Sequence, residues 1–129
     1  MLSLDLTTRN ALIAGSTQGI GLASAQALAS LGANCTLIAR NEASLKQALT
    51  TLDQKGGQQH NFLVADFSST DSVSAAIKSF AAENTVHILV NNTGGPPAGP
   101  ITAASTTDFL NAFQQHLICN HILATALID

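Results

Sequence analysis

Three glycines near the start of the sequence have the spacing of a turn that binds phosphate through its backbone. Gly15, Gly19 and Gly21 follow an apolar run, residues 11–14, that predicts a short buried strand. The residues after them predict a helix, so the turn would present free backbone N–H groups and the positive end of a helix dipole. Glycine would permit the tight reversal, leave room for a ligand and let the helix approach closely. The alternative is a glycine-rich turn that binds nothing.

Polar residues follow each of three further predicted strands. The strands are residues 35–39, 62–65 and 86–90, and the residues that follow them are Arg40, Asp66 and the pair Asn91 and Asn92. Because the carboxyl ends of parallel strands meet at one edge of a sheet, we expect these side chains to converge on the glycine turn. This convergence favours a dinucleotide site over an empty turn.

Helices are predicted between the strands and after the last one. Their boundaries are marked by Gly32, by Asn41 as an N-cap, by Gly56 and Gly57, and by an N-cap at Ser68, Ser69 or Thr70. The apolar residues at helical spacing in the first helix are Ile20, Ala23, Ala27, Leu28 and Leu31. The segment from Ser105 to Asp108 is similar to a capping box and opens a long helix. We expect this helix to direct inward Phe109, Ala112, Phe113, Leu117, Leu123, Ala124 and Leu127.

The alternation of strands and helices predicts an α/β fold. We expect a Rossmann-type doubly wound parallel sheet with strand order 3-2-1-4 and helices on both faces. The 129 residues suffice for one domain or part of one, and 46% of them are hydrophobic. The net charge of −3, without a run of Lys or Arg, argues against nucleic acid and acidic membranes as partners.

The N-terminus and the cysteines favour a cytoplasmic protein. Residues 1–6 contain Asp5 and no long apolar core, which is unlike a signal peptide, and no apolar run approaches the length of a membrane span. Cys35 and Cys119 are far apart in the sequence, and we interpret them as two small buried side chains in a reducing compartment.

The motifs at the strand ends resemble those of the short-chain dehydrogenases/reductases. Gly15-Ser16-Thr17-Gln18-Gly19-Ile20-Gly21 is similar to the G-x-x-x-G-I-G turn of that family, and Asp66-Phe67 to the acidic-apolar pair after its third strand. Asn91-Asn92-Thr93-Gly94 resembles the Asn-Asn-Ala-Gly motif, with Thr93 in place of Ala. The resemblance covers essentially the whole chain and points to members similar to 3-oxoacyl-carrier-protein reductase that carry a Thr-Gly-Gly-Pro loop.

The resemblance also implies a role for each motif. The amides of residues 16–20 would hold the pyrophosphate and the adenosine ribose of a dinucleotide, and Asp66-Phe67 would contact the adenine. Asn92 and Gly94 would lie against a ribose, while Asn91 would tie the central strands together. The predicted cofactor-binding residues are Gly15, Ser16, Thr17, Gln18, Gly19, Ile20, Gly21, Arg40, Asp66, Phe67, Asn92, Thr93 and Gly94.

The residue after the second strand favours NADP(H) over NAD(H). An acid about 20 residues beyond the glycine turn would bond the ribose hydroxyls of NAD and repel a 2′-phosphate. This chain has Ala39 and Arg40 there, and a guanidinium matches the geometry of phosphate oxygens. NAD stays the alternative, because Gln18 stands where many NADP-using relatives have a second basic residue. The Arg40 side chain could also be merely solvated.

The catalytic Ser, Tyr and Lys that the resemblance implies are missing from this sequence. It contains no Tyr and ends at Asp129, before the strand expected to carry the Ser. We therefore expect residues 1–129 to be the N-terminal part of a single Rossmann domain whose catalytic half is absent. Ungapped alignment of the long helix places His116 at the position of a family Asn, with Asn120 one turn later. Either residue could hold the water of a proton relay, or both could be polar residues of a helix–helix contact.

Two functions stay open, and a third possibility is a structural fragment that binds no ligand because the exposed strand edge occludes the glycine turn. The first is an NADP(H)-dependent oxidoreductase acting on a small-molecule carbonyl or alcohol. The second is a non-catalytic dinucleotide-binding module or a truncated pseudo-enzyme. The exposed edge of the fourth strand and the apolar stripe of the helix starting near Thr106 predict a homo-oligomer. His60 and His121 have no partners at catalytic or metal-ligand spacing, and His87, near the start of the fourth strand, is interpreted as structural, so no metal site is predicted.

Overall fold

In a computed structural model of the chain, which describes residues 1–128, four parallel strands form one sheet in the order β3-β2-β1-β4. This confirms the predicted order. The elements of the α/β layers are β1 Asn10–Ala14, α1 Gly19–Ser30, β2 Asn34–Ala39, α2 Glu42–Leu49, β3 Asn61–Val64, α3 Thr70–Glu83 and β4 Ile88–Val90. A long helical segment follows as α4 Thr106–Phe113, a π-helical turn Gln114–Ile118 and α5 Cys119–Leu127. Asp129, where the sequence ends, lies outside the described residues.

Helices cover both faces of the sheet, as predicted. Alternate residues of β1 are directed to opposite faces and all are buried after Asn10, which is typical of a central parallel strand. Between one face of the sheet and helices α1 and α2 lies a core cluster made of Ala11, Ile13, Ala25, Ala29, Ala33, Cys35, Leu37, Leu45, Ala48 and Leu52. Between the opposite face of the sheet and helices α3 and α5 lies a second core cluster made of Leu12, Ala14, Ile38, Ala65, Val73, Ile77, Cys119 and Leu123.

The buried face of α1 differs from the apolar pattern read from the sequence. The Ile20 side chain is 78% exposed, and Ala23, Ala27 and Leu31 are exposed as well, while Leu28 packs against the core. The buried residues are Gly21, Ala25 and Ala29, which recur every four residues. These small residues let α1 lie close to the sheet. Because α1 is apolar almost all round, its periodicity alone could not identify this face.

The long helix is also oriented differently from the prediction in its first half. Phe109, Phe113 and Leu117 were expected to face inward, but they are 57%, 54% and 54% exposed. Leu123 is buried as predicted, and Ala112, Ala124 and Leu127 are half-buried. The π-helical turn explains the difference, because one extra residue in a turn rotates the following side chains by about 100°. A single apolar stripe therefore cannot face the core on both sides of that turn.

The caps are largely where the sequence predicts them. Asn41 accepts a hydrogen bond from the Ser44 N–H at 2.9 Å, Ser69 is the N-cap of α3, and Ser105 with Asp108 forms the capping box. β4 is shorter than the predicted 86–90. There His87 pairs with Asn10 instead, donating its N–H to the Asn10 carbonyl at 2.8 Å and accepting the Asn10 N–H on Nδ1 at 3.0 Å.

Two further observations concern the described residues as a whole. Cys35 and Cys119 are buried free thiols, which confirms the interpretation of both as buried small side chains. Within residues 1–128, no helix combines the length and the apolar character needed to cross a membrane.

Candidate functional site

A cleft of about 900 Å³ lies across the carboxyl ends of the strands. Most of the predicted cofactor residues line it: Gly15, Thr17, Gln18, Gly19, Ile20, Arg40, Asp66, Phe67, Asn92, Thr93 and Gly94. Ser16 and Gly21 do not, and the fully buried Ser16 hydroxyl has no hydrogen-bond partner among the described residues. The strand ends therefore bring the three motifs to one concave surface.

The three glycines of the turn have different surroundings. A Cβ on Gly21 would lie 2.0 Å from the Gly15 carbonyl oxygen, and a Cβ on Gly15 would lie 2.7 Å from the Asn92 carbonyl oxygen. Gly19 has a φ of +58° and nothing within 4 Å of the position of a Cβ. Gly15 and Gly21 are thus required by the packing of the turn itself. Gly19 instead leaves open space at the cleft, which is the cradle that a diphosphate needs.

Asn92 ties β4 to the glycine turn. Its Nδ2 donates to the Gly15 carbonyl at 3.1 Å and to the Ala14 carbonyl at 3.4 Å. From the sequence this role is predicted for Asn91, and that prediction is wrong, because Asn91 is exposed and both bonds come from Asn92. Successive residues in an extended segment are directed to opposite sides, so only one of the two asparagines can face β1.

The residues that follow β2 form one wall of the cleft, called here the wall beyond β2. This wall contains polar groups that were not predicted from the sequence to belong to the site. Arg40 is exposed and lines the cleft together with Asn41 and Ser44. Asn41 was recognised only as an N-cap, and Ser44 was missed. The sequence signal that could have identified Ser44 is its hydroxyl group in the first turn of the helix that follows Arg40. Glu42, in the same turn, pairs with Lys46 at 2.7 Å, which offsets its negative charge.

The wall beyond β3 carries an ionised carboxylate. Asp66 Oδ1 accepts hydrogen bonds from the Ser68 hydroxyl at 2.7 Å and from the Ser68 N–H at 2.9 Å. These bonds lower the pKa of Asp66, the charge of Arg40 lowers it slightly further, and burial opposes both. Because Ser69 is the cap of α3, the Asp66 carboxylate does not serve as the N-cap and lies in the cleft.

The π-helical turn contacts the loop after β4. Thr93 Oγ1 and His116 Nδ1 are hydrogen-bonded, and Asn120 Nδ2 donates to the His116 carbonyl at 2.6 Å. His116 Nε2 and Asn120 Oδ1 are buried and have no partner among the described residues. The structure thus brings His116 to the cleft-lining Thr93. A proton-relay role for His116 and Asn120 stays a prediction.

His60 and the two thiols have structural surroundings. His60 Nδ1 accepts the Cys35 N–H at 3.0 Å, and its Nε2 lies 2.8 Å from the Asp53 carbonyl oxygen. Burial raises the pKa of Cys35 to about 11 and also raises that of Cys119, so both are protonated near neutrality. Across residues 1–128, no group of three or more His, Cys, Asp or Glu is arranged to hold a metal ion.

Comparison with known proteins decides the family. The sequence model described as short chain dehydrogenase matches residues 9–127. The chain belongs to the short-chain dehydrogenase family. This member is 37% identical to 3-oxoacyl-[acyl-carrier-protein] reductase FabG of Chlamydia trachomatis over 90 residues, which are 69% of the chain and 36% of the relative. It is 40% identical to the human inactive hydroxysteroid dehydrogenase-like protein 1 over 86 residues, which are 67% of the chain and 26% of that protein.

Among solved structures, this short-chain dehydrogenase is similar to L-sorbose reductase from Gluconobacter frateurii complexed with NADPH and L-sorbose. The TM-score is 0.87 and the identity 28%, covering 98% of this chain and 49% of the reductase. The chain thus spans about a third of the length of FabG and about half of the sorbose reductase chain.

Proposed function

We propose that this chain forms the cofactor-binding part of an NADP(H)-dependent oxidoreductase that reduces a carbonyl or oxidises an alcohol. The open space at Gly19 carries the proposal, because a ligand's diphosphate is what a side-chain-free turn at a helix N-terminus accommodates best. The backbone of residues 16–20 would hold the diphosphate, and Asp66 would accept a hydrogen bond from the adenine. When bound, the nicotinamide supplies the hydride chemistry.

The preference for NADP(H) rests on the wall beyond β2. Arg40 is accompanied there by the Asn41 amide and the Ser44 hydroxyl, which together offer a positive charge and several donors to a 2′-phosphate. The single nearby carboxylate on that helix turn, Glu42, is paired with Lys46. The NADPH in the similar sorbose reductase supports the same choice.

A second cavity supports a small-molecule substrate beside the cofactor. It has a volume of about 290 Å³ and is lined by residues 96–100 and by Ala103, Ala104, Asp108, Phe109 and Ala112. Pro96 and Pro97 line both this cavity and the cleft, so the two spaces adjoin. The cavity would form one mainly apolar wall of a site for the carbonyl or alcohol.

Titration calorimetry of the chain with NADPH and with NADH tests the cofactor assignment. Arg40→Asp should weaken NADPH binding by at least about 10- to 150-fold, because it removes a charge-assisted hydrogen bond and places a carboxylate beside the 2′-phosphate. NADH binding should not be weakened. Arg9→Asp is the matched control, since it makes the same charge change at an exposed residue just before β1 and outside the cleft. Equal losses for both cofactors would exclude the phosphate-binding role of Arg40.

The second candidate is a module that binds the dinucleotide without catalysis. It is favoured by the similarity to a human relative named as inactive and by His116 standing where the family resemblance expects Asn. Sequencing of the gene downstream of the codon for Asp129 separates the two candidates. A Ser followed by Tyr-x-x-x-Lys supports the oxidoreductase, whereas the absence of these residues supports the module.

We further propose that the protein self-associates through α4 in a reducing, cytoplasmic setting. The exposed Phe109 and Phe113 lie one turn apart on α4, and Leu117, in the π-helical turn that follows, is exposed as well, so these apolar side chains are left in contact with water. The two free buried thiols agree with a reducing compartment. Sedimentation of the chain over a range of concentrations, compared with Phe113→Lys, tests the association.

A further inference from the structure

The π-helical turn contacts both walls of the cleft. Gln114 Nε2 donates to the Ser68 carbonyl at 2.8 Å, on the wall beyond β3, and His116 Nδ1 is bonded to the Thr93 hydroxyl, on the wall beyond β4. Gln115, between them, itself lines the cleft. Turns of this kind often occur at functional sites because the extra residue redirects side chains. Here it directs alternate side chains to opposite walls.

His116 is itself firmly placed. The Asn120 amide donates to the His116 carbonyl. Cys119, the first residue of α5, is fully buried, and its Sγ lies 3.4 Å from the Phe67 carbonyl oxygen. The imidazole is half-buried, and Thr93 is its hydrogen-bond partner. According to the tautomer, either the Thr93 hydroxyl donates to Nδ1 or the Nδ1–H donates to the hydroxyl oxygen.

Thr93 occupies a position where the chain needs such a partner. On one side of it, Asn92 is bonded to the glycine turn. On the other side, residues 94–100 consist of glycine, proline and one alanine, and several of them line the cavities. The Thr93–His116 bond is therefore the last side-chain tie of the β4 end before this segment begins.

We propose that His116 is a positioning residue. Through its bond to Thr93, it fixes the part of the cleft wall that contacts the nicotinamide half of the dinucleotide, and it does not affect the part that contacts the adenosine half. This inference rests on the proposed function. With the diphosphate at β1 and the 2′-phosphate at Arg40 after β2, the adenosine half lies over β2 and β3, because the strand order is β3-β2-β1-β4. The other half must then lie over β4, where Thr93 is. This role requires neither a bound water nor proton transfer.

A half-molecule probe tests the proposal. Calorimetry would compare NADPH with adenosine 2′,5′-bisphosphate, which contains only the adenosine half. Thr93→Val and His116→Ala should each weaken NADPH binding about 3- to 10-fold, the worth of one net hydrogen bond, and leave the bisphosphate within about twofold. Thr93→Ser should restore NADPH binding because it keeps the hydroxyl. The double variant should be no weaker than either single variant, since both remove the same bond.

Thr125→Val is the matched control, because the exposed Thr125 hydroxyl bonds only to the backbone of its own helix at 2.9 Å. Equal weakening of both probes would show a merely structural role for His116 and overturn the proposal. Unchanged NADPH binding, or losses that multiply in the double variant, would overturn it as well. If the unsubstituted chain bound neither probe, the proposed function itself would fail together with this inference. Should His116→Ala not fold, the three Thr93 and Thr125 variants still decide.

Discussion

The glycine turn and helix α4 stand near the same cleft, yet different forces hold them in place. The turn follows the fully buried Ala14, contains the fully buried Ser16, and brings Gly21 against the Gly15 carbonyl. Helix α4 has no buried residue, and its Phe109 and Phe113 are exposed. The core of the sheet thus fixes the turn, whereas α4 depends on its own cap and on whatever covers its exposed phenylalanines.

The largest expected effect concerns the turn. Gly19→Val should abolish measurable NADPH binding, because a branched side chain would fill the space of the diphosphate. Gly57→Val is the matched control, since Gly57 also has a positive φ, +83°, and nothing near its Cβ position, but lies outside the cleft. Both variants carry similar backbone strain. Circular dichroism should show comparable helix content for the two variants, and calorimetry should show loss of NADPH binding for Gly19→Val alone. Loss of NADPH binding in both variants would indicate backbone strain as the cause.

The next effect contrasts the core with α4. Leu12→Ala should lower the free energy of unfolding by about 2–5 kcal/mol, because Leu12 is fully buried in the central strand. Phe113→Ala should change it by less than about 0.5 kcal/mol, because that ring is largely exposed. Urea denaturation at low protein concentration measures both. A large loss for Phe113→Ala would show that α4 is covered in solution.

A smaller effect is expected at the helix caps. Ser105→Ala and Ser69→Ala each remove a side-chain acceptor at an N-cap, at a cost of about 0.5–2 kcal/mol. Because α3 buries Val73 and Ile77 while α4 buries nothing, only Ser69→Ala should lower global stability. Hydrogen exchange should show faster exchange confined to residues 106–113 in Ser105→Ala. Global destabilisation by Ser105→Ala would contradict the independence of α4.

The smallest effect is a pH dependence at the β3 wall. The Ser68 hydrogen bonds lower the pKa of Asp66 in the folded chain, so its stabilising contribution is complete above the unfolded pKa, about 3.8, and is lost as the pH falls through the lower folded value. Asp66→Asn cannot titrate. Below pH 4, melting temperatures of the unsubstituted chain should therefore fall more steeply than those of the variant. Parallel curves would show that the bonds do not persist in solution.

The sequence predicts what local signals encode. The strand order follows from four apolar runs alternating with helices, and the caps at Asn41 and Ser105 follow from single polar residues. The convergence of Arg40 and Asp66 follows from their places at strand ends. These features depend on neighbouring residues or on the fold class alone.

Other features depend on contacts between distant residues and were not predictable. Thr93 and His116 are 23 residues apart, and their bond requires the π-helical turn, for which no sequence signal was available. The same turn changes the orientation of Phe109 relative to Leu123. The choice of Asn92 over Asn91 depends on the register between β4 and β1, which alternation alone leaves open by one residue.

The crowding at Gly21 has a consequence for how such chains diverge. Any side chain there would meet the Gly15 carbonyl, so mutation at this position is opposed by folding whether or not a dinucleotide is ever used. At Gly19 the surrounding space is empty, and Asn tolerates its positive φ better than other residues do. A descendant that no longer bound the nucleotide would keep glycine at 15 and 21 and accumulate replacements at 19. A replacement of glycine at position 19, with glycine kept at positions 15 and 21, would therefore indicate that a relative has lost nucleotide binding.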